Sequence, residues 1–262
     1  MFKVSCIQMC SGKDIKKNLN ISKKLILKAI KKKSDLIITP ETSSLFGLDR
    51  KQLLQHATSM DKDIFLNGIK EIAKTYKKWI LTSIIVKRKT IRNRSVLINP
   101  KGLVQAYYDK IHMYDAVLSA KEKYFESKIF TPGKVIKTTN LPWGKLGLSI
   151  CYDIRFPNMY RKLSKNGSLF MSVPSAFTKT TGEKHWHSLL RARAIENFSY
   201  IFAPAQSGTH WNGRKTYGHS LIVSPDGNIL KEIKKNTGVI TANIDPNLSK
   251  VLRRRIPSLS KD

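Results

Sequence analysis

Residues 146–160, LGLSICYDIRFPNMY, change character at a single position. The run 146–150 is apolar, Cys151 ends it, and Asp153 and Arg155 follow at once. A short apolar run closed by a polar turn reads as a buried strand. Pro157 then opens a helix, because a first turn has no use for the N–H that proline lacks. A second apolar run at 168–173 supplies the next strand. Strand–helix–strand is the unit from which layered α/β folds are built. The arrangement also delivers a thiol to the point where the strand stops. A structural cysteine packs best inside such a run, whereas a nucleophile belongs at its end, beside loops free to vary.

The alternation extends both ways. Upstream, strands are expected at 2–8, 35–39, 80–86, 95–98 and 103–108, with helices at about 14–33 and 62–77. Downstream, a helix at about 183–197 precedes a strand at 200–205. The segments NPKG (99–102) and SPDG (224–227) are Pro-x-Gly turns, each set between two apolar runs. Each half therefore reads strand–helix–strand followed by a hairpin. An internal pseudo-repeat within one α/β domain, residues 1–262, is the expectation.

Three polar residues sit just beyond apolar strands: Glu41 after DLIITP, Lys110 after GLVQAYYD, and Cys151 after LGLSI. Taken singly, each has an ordinary explanation, a solvated charge or a small core residue. Together they form a set suited to amide hydrolysis. A free thiol has a pKa near ~8.5 and needs a base before it attacks. Glu41 is suited to take that proton and return it to the departing amine. Lys110, with backbone N–H groups after Cys151, is suited to the oxyanion of the tetrahedral intermediate. Glu126, upstream of the turn FTPG, is placed to orient Lys110 and the attacking water.

These residues carry a resemblance. TPE at Glu41, YYDKIHMYD around Lys110, ES…TPG at Glu126 and CYDIRFP at Cys151 resemble the nitrilase superfamily of carbon–nitrogen hydrolases, which use a Glu–Lys–Cys triad. The likeness runs from the first strand through the SPDG hairpin. VPSAFTKTTGEKHWHSLLRARAIEN and APAQSGTH…YGHS look like the branch containing deaminated glutathione amidase. The resemblance implies a four-layer α-β-β-α sandwich, no metal or organic cofactor, and a homodimer or higher homo-oligomer. It also implies a carboxylate-bearing amide substrate, deaminated glutathione first, cleaved through a thioester with release of ammonia. An ω-amidase or carbamoylase of the same superfamily is the alternative. For such an anionic substrate Arg155 is the candidate carboxylate clamp, set against a structural ion pair with Asp153. Thr181 matches a position supplying a hydroxyl to the same end, set against a role as a helix-start signal ahead of residue 183. Lys184 and the loop SGTHWNGRK depart from the usual pattern, so the preferred acyl group is open to difference.

Composition bounds the remaining classes. Hydrophobic residues at 41% and charged residues at 25% are an ordinary globular balance. No apolar stretch approaches the ~20 residues of a membrane span. The opening MFKVSCIQMC reads as a first strand rather than a signal peptide. Three cysteines, an odd number, suggest no disulfide framework, so a cytoplasmic location is expected. Cys6 reads as a core residue, and neither it and Cys10 nor His185 and His187 have metal-ligand spacing. His112, two residues past Lys110, leaves a papain-like Cys–His pair open. The formal net charge of +30 invites a nucleic-acid reading. Yet only 12 of the 48 basic residues are arginine, the residue preferred for phosphate and base recognition. The lysines of 13–33 alternate with apolar residues at helical spacing and read as a wet helix face. A non-catalytic basic binding protein on the same fold is thus the runner-up from another class.

Overall fold

The computed structural model describes residues 1–261; Asp262, the last residue of the expected domain, lies outside them. A first sheet takes β1 (Phe2–Gln8), β2 (Leu36–Ile38), β3 (Trp79–Lys87), β4 (Ile91–Ile98) and β5 (Val104–Asp109). A small hairpin follows, β6 (Asp115–Val117) and β7 (Lys123–Phe125). The second sheet takes β8 (Lys137–Leu141), β9 (Gly144–Leu148), β10 (Ser168–Ser172) and β11 (Tyr200–Ala203). After the ribbon of β12 (Ser207–Thr209) and β13 (Lys215–Tyr217) come β14 (Ser220–Val223), β15 (Ile229–Ile233) and β16 (Gly238–Ile244).

The strand orders are β16-β1-β2-β3-β4-β5 and β8-β9-β10-β11-β14-β15. In each sheet three parallel strands are flanked on one side by a single antiparallel strand and on the other by an antiparallel hairpin. The pseudo-repeat expected from the two Pro-x-Gly turns is thus present, and those turns close β4–β5 and β14–β15.

Alternation along the strands makes the four layers. Leu36 and Ile38 face the second sheet, where they share a core with Leu146, Leu148 and Phe170. Ile37, between them, faces outward to α1 (Ile15–Lys31) and α3 (Ile64–Tyr76), meeting Ile26 and Phe65. With a side-chain period of two, adjacent residues must serve opposite faces. The second sheet is covered on its outer face by α4 (Pro157–Lys165) and α5 (Lys179–Asn197). The result is helices, sheet, sheet, helices.

Lysines of α1 project outward while Leu25, Ile26 and Ala29 are buried, as the helical spacing predicts. Asp14 caps the helix by accepting from the N–H groups of Lys16 and Lys17. Two element starts differ from expectation by four residues. β4 begins four residues early, at Ile91. α5 begins at Lys179 rather than 183, because Thr178, not Thr181, is its cap. Elements without a strong apolar period were not legible: α2 (Arg50–His56), β6, β7, β8, β12, β13, and also β16 and α6 (Pro246–Arg255). Among the described residues no helix is long and apolar enough to cross a membrane.

Candidate active site

Glu41, Lys110, Glu126 and Cys151 meet at one end of the paired sheets. Glu41 follows Pro40, just past the end of β2; Lys110 directly follows β5; Cys151 lies just past β9. The Lys110 ammonium sits between the two carboxylates, 2.8 Å from Glu41 Oε1 and 2.9 and 2.8 Å from Glu126 Oε1 and Oε2. Only 2% of Lys110 and 3% of Glu41 is exposed, so the pair is shielded from water and each charge depends on the other. Asn93 Nδ2 also donates to Glu41 Oε1 (2.8 Å), and the Ala176 N–H donates to Oε2 (2.8 Å). Tyr114 N–H donates to Glu126 Oε2 (2.7 Å).

Glu41 and Ala176 lie one and two residues beyond corresponding prolines of the two halves. Each proline comes just past the middle parallel strand of its sheet, Pro40 after β2 and Pro174 after β10. The pseudo-symmetry therefore aims one half's backbone N–H at the other half's carboxylate.

Burial raises the Glu41 carboxyl pKa. The charge and hydrogen bond of Lys110, a hydrogen bond from the Cys151 thiol and the charge of Arg214 more than offset this and hold it below the usual carboxylate range. Burial and then the negative charge of Glu41 push the thiol pKa well up, against the lowering effect of Lys110. Burial works against the Lys110 ammonium, but Glu126, Glu41 and Cys151 keep it firmly charged. The resting state is a neutral thiol beside an ionised carboxylate, the protonation that a general base needs before it acts. The three groups titrate as one unit.

Cys151 has φ +49°, a left-handed conformation that side chains other than glycine and asparagine seldom adopt. Its N–H donates to the Pro174 carbonyl (3.0 Å), and a tight turn, Cys151–Arg155, follows. This turn decides against the ion pair weighed for Asp153 and Arg155. Asp153 is fully buried and does not pair with Arg155. Its carboxylate accepts from Tyr108 Oη (2.7 Å), the N–H groups of Ile150 (2.8 Å) and His112 (3.0 Å), and lies 2.7 Å from His112 Nδ1. Asp153 thus ties β5 to the turn that carries the thiol. His112, held by Asp153 and stacked on Phe156 at 3.5 Å, has its ring committed there rather than to a Cys–His pair.

Arg155 instead donates to His185 Nδ1 (3.2 Å) and lies over Tyr152 and Phe177. With Tyr114 and Thr181 it lines a narrow cleft that reaches Cys151. Thr181, a third-position residue of α5, has its hydroxyl 2.7 Å from that of the capping Thr178. Lys184 is exposed and lines no part of this cleft. Behind the thiol, buried Arg193 of α5 donates to the Ile154 carbonyl (2.8 Å), so this helix secures the Cys151 turn.

On the other side of Cys151 lies a larger cavity of ≈ 130 Å³, lined by Glu41, Lys110, Tyr124, Phe130 and Arg214 among others. Arg214 and Asn93 were not singled out in the sequence. Arg214 sits in a loop with no periodicity, although that loop, SGTHWNGRK, was marked there as a departure from the usual pattern. Among the described residues, the one group of metal-ligating side chains close enough to share an ion is His187, His219 and Glu232. It lines neither cavity at Cys151.

Gly133 holds the Lys110 strand end in place. Its N–H donates to the Lys110 carbonyl (2.7 Å), and a Cβ added there would lie 2.2 Å from the Asp109 carbonyl oxygen. Gly133→Ala is expected to destabilise the protein by roughly 1–3 kcal/mol and to lower activity with it. Urea denaturation checks the first part; an unchanged midpoint would mean that this turn relaxes freely.

Residues 3–254 match the carbon–nitrogen hydrolase family. The chain belongs to that family. This hydrolase is 35% identical over 262 residues to a deaminated glutathione amidase of Yersinia enterocolitica, covering 98% of this chain and 91% of the relative. Its fold matches the crystal structure of the Caenorhabditis elegans NitFhit protein with a TM-score of 0.93 at 33% identity, covering all of this chain and 65% of that one. The chain spans 60% of the length of the curated C. elegans fusion protein. The crystal structure of Saccharomyces cerevisiae Nit3, of the nitrilase superfamily, matches with a TM-score of 0.88 at 27% identity, over 98% of this chain and 94% of that one. The hydrolase therefore acts on carbon–nitrogen bonds other than peptide bonds, amides among them, within the nitrilase superfamily.

Proposed function

We propose that this carbon–nitrogen hydrolase cleaves an amide with a 2-oxo dicarboxylate acyl group, deaminated glutathione first, through a thioester on Cys151. The observation that carries the reading is the buried Glu41–Lys110–Glu126 array beside a protonated thiol, with Arg155 and Thr181 in the adjoining cleft. In the first step Cys151 Sγ bonds to the amide carbon and its proton passes to Glu41. The developing oxyanion is stabilised by the Lys110 ammonium and the Tyr152 N–H. Glu41 then gives the proton to the amide nitrogen, the C–N bond breaks, and the amine leaves. Water attacks the thioester as Glu41 takes its proton. Collapse of the second tetrahedral intermediate expels the thiolate, which is reprotonated. Glu126 fixes Lys110 throughout, and Arg155 and Thr181 hold the acyl-end carboxylate.

The release of ammonia expected from the sequence does not fit this substrate. Glutathione with its amino group replaced by a keto group retains two amides, both secondary. Cleavage at the acyl end therefore releases cysteinylglycine and a 2-oxo dicarboxylate, and no ammonia. The test is a panel of deaminated glutathione, α-ketoglutaramate, glutamine and a carbamoyl amino acid, with 2-oxo acid, ammonia and free thiol measured separately. The expected result is fastest formation of 2-oxo acid from deaminated glutathione with an equal amount of thiol. Ammonia from α-ketoglutaramate at a higher kcat/KM would make the protein an ω-amidase instead, and carbamoyl turnover a carbamoylase.

A second copy of the chain and a cytoplasmic location remain part of the proposal. The basic surface is read as a solvated one rather than a nucleic-acid site, because lysine outnumbers arginine on it.

A further inference from the structure

We infer that Arg214 is a specificity residue for the leaving group, and that it binds a carboxylate carried by the departing amine. The inference rests on the amide-hydrolase reading above and concerns the half of the substrate that reading leaves unassigned.

Cys151, Tyr114 and Ala176 line both the larger cavity and the narrow cleft, so the nucleophile stands between two compartments. Arg155 serves the cleft; Arg214 serves the cavity. An amide bound across Cys151 places its acyl group on one side and its amine on the other, and each side has its own guanidinium. With the acyl carboxylate assigned to Arg155, Arg214 faces the amine.

The position of Arg214 is built rather than incidental. Its guanidinium is set against the rings of Phe46 (5.2 Å) and Tyr124 (4.8 Å), and one Nη donates to the carbonyl of Ala176 (3.1 Å). Ala176 is the residue whose N–H holds Glu41, so Arg214 is one residue removed from the catalytic array. Nε is buried without a hydrogen-bond partner, and no carboxylate lies within ion-pair distance of the guanidinium among the described residues. A guanidinium fixed by aromatic rings but unpaired offers a fork suited to a carboxylate.

Arg214 also lines a trough that opens outward from the cavity, with Lys121, Lys123, Lys179 and Lys215 along it. The trough's one acid, Glu122, is occupied by Tyr124 Oη and Thr180 Oγ1. The trough therefore presents a positive field to an approaching anion and leads it to Arg214. A leaving amine that ends in a carboxylate fits this layout; a neutral amine or ammonia leaves Arg214 unused.

The test compares two amides with the same 2-oxoglutaryl acyl group, one releasing cysteinylglycine and the other releasing cysteinylglycine amide, which lacks the terminal carboxylate. Wild type is expected to prefer the first. In Arg214→Gln the ratio of the two kcat/KM values is expected to fall by roughly 10- to 100-fold, the effect of one charge-assisted contact. Most of the change should lie in KM, with part of the ratio kept in Arg214→Lys. Equal losses on both amides in Arg214→Gln would reduce Arg214 to packing and overturn the inference. A wild type that hydrolyses both amides alike would overturn it while leaving the amidase reading intact. A wild type inert on both would overturn the substrate reading and this inference together.

Discussion

Cys151→Ala is expected to lower kcat/KM by roughly 10⁴-fold or more while the protein stays folded. The Cys151 thiol lines the cavity and hydrogen-bonds the Glu41 carboxylate, so without it the residual rate would come from binding and the oxyanion donors. Little stability should be lost, because the substitution removes one heavy atom at a residue 8% exposed and leaves the Glu41–Lys110–Glu126 charges paired. Measuring 2-oxo acid release alongside thermal denaturation separates the two effects. Full activity with a native melting curve would remove Cys151 from the mechanism and, with it, the thioester.

Lys110→Met is expected to damage both chemistry and fold. The side chains are similar in length, but the variant leaves Glu41 and Glu126 facing each other without a cation in a nearly dry site. Breaking a buried pair in this way costs about 3–5 kcal/mol, a Tm drop on the order of 10 °C in a chain of this size. The pH dependence carries a sign that a merely disordered variant would not reproduce. In the native protein the Glu41 carboxyl is held below its ordinary value, because Lys110 and its other partners outweigh burial. Its contribution to stability is therefore present above the unfolded carboxylate pKa of ~4.3 and fades as pH falls through the folded value. Without Lys110, burial dominates and raises the carboxyl pKa. The variant's contribution is then present at low pH and lost as pH rises. As pH falls from about 7 toward ~4.3 the variant should gain stability while the native protein keeps this contribution, and the native protein should lose it only below that pH. Parallel curves would mean that the carboxylates are not desolvated as the geometry requires.

The triad was legible because each member stands where an apolar strand ends, and those ends follow from short apolar runs closed by polar or turn residues, which need no knowledge of the partner strand. The same holds for the lysine face of α1 and for the two Pro-x-Gly hairpins, where the turn residues set the backbone locally. Asp153 and Arg155 show the limit. As a sequence they are two opposite charges two positions apart in a polar stretch, and an ion pair between them stands beside a substrate clamp as a reading of Arg155. The tight turn after Cys151 sends them in different directions, Asp153 into the interior beneath β5 and Arg155 over Phe177 toward α5. β16 was missed for a related reason. Its pairing with β1 joins residues more than 200 positions apart, and half of it is only partly buried.

The amino-acid order determined the local elements, the strand ends that carry Glu41, Lys110 and Cys151, and the family motifs around them, because these depend on neighbours along the chain. The tertiary structure alone decided which side chains share a cavity. Asn93 reaches Glu41 across 52 positions, the Ala176 N–H across 135, and Arg214 reaches the Ala176 carbonyl from a loop with no pattern of its own. Those contacts exist because two sheets pack face to face, which brings the ends of strands from opposite halves of the chain to one edge. Electrostatics at that edge depends on distance and burial, and neither quantity is written in the order of the residues.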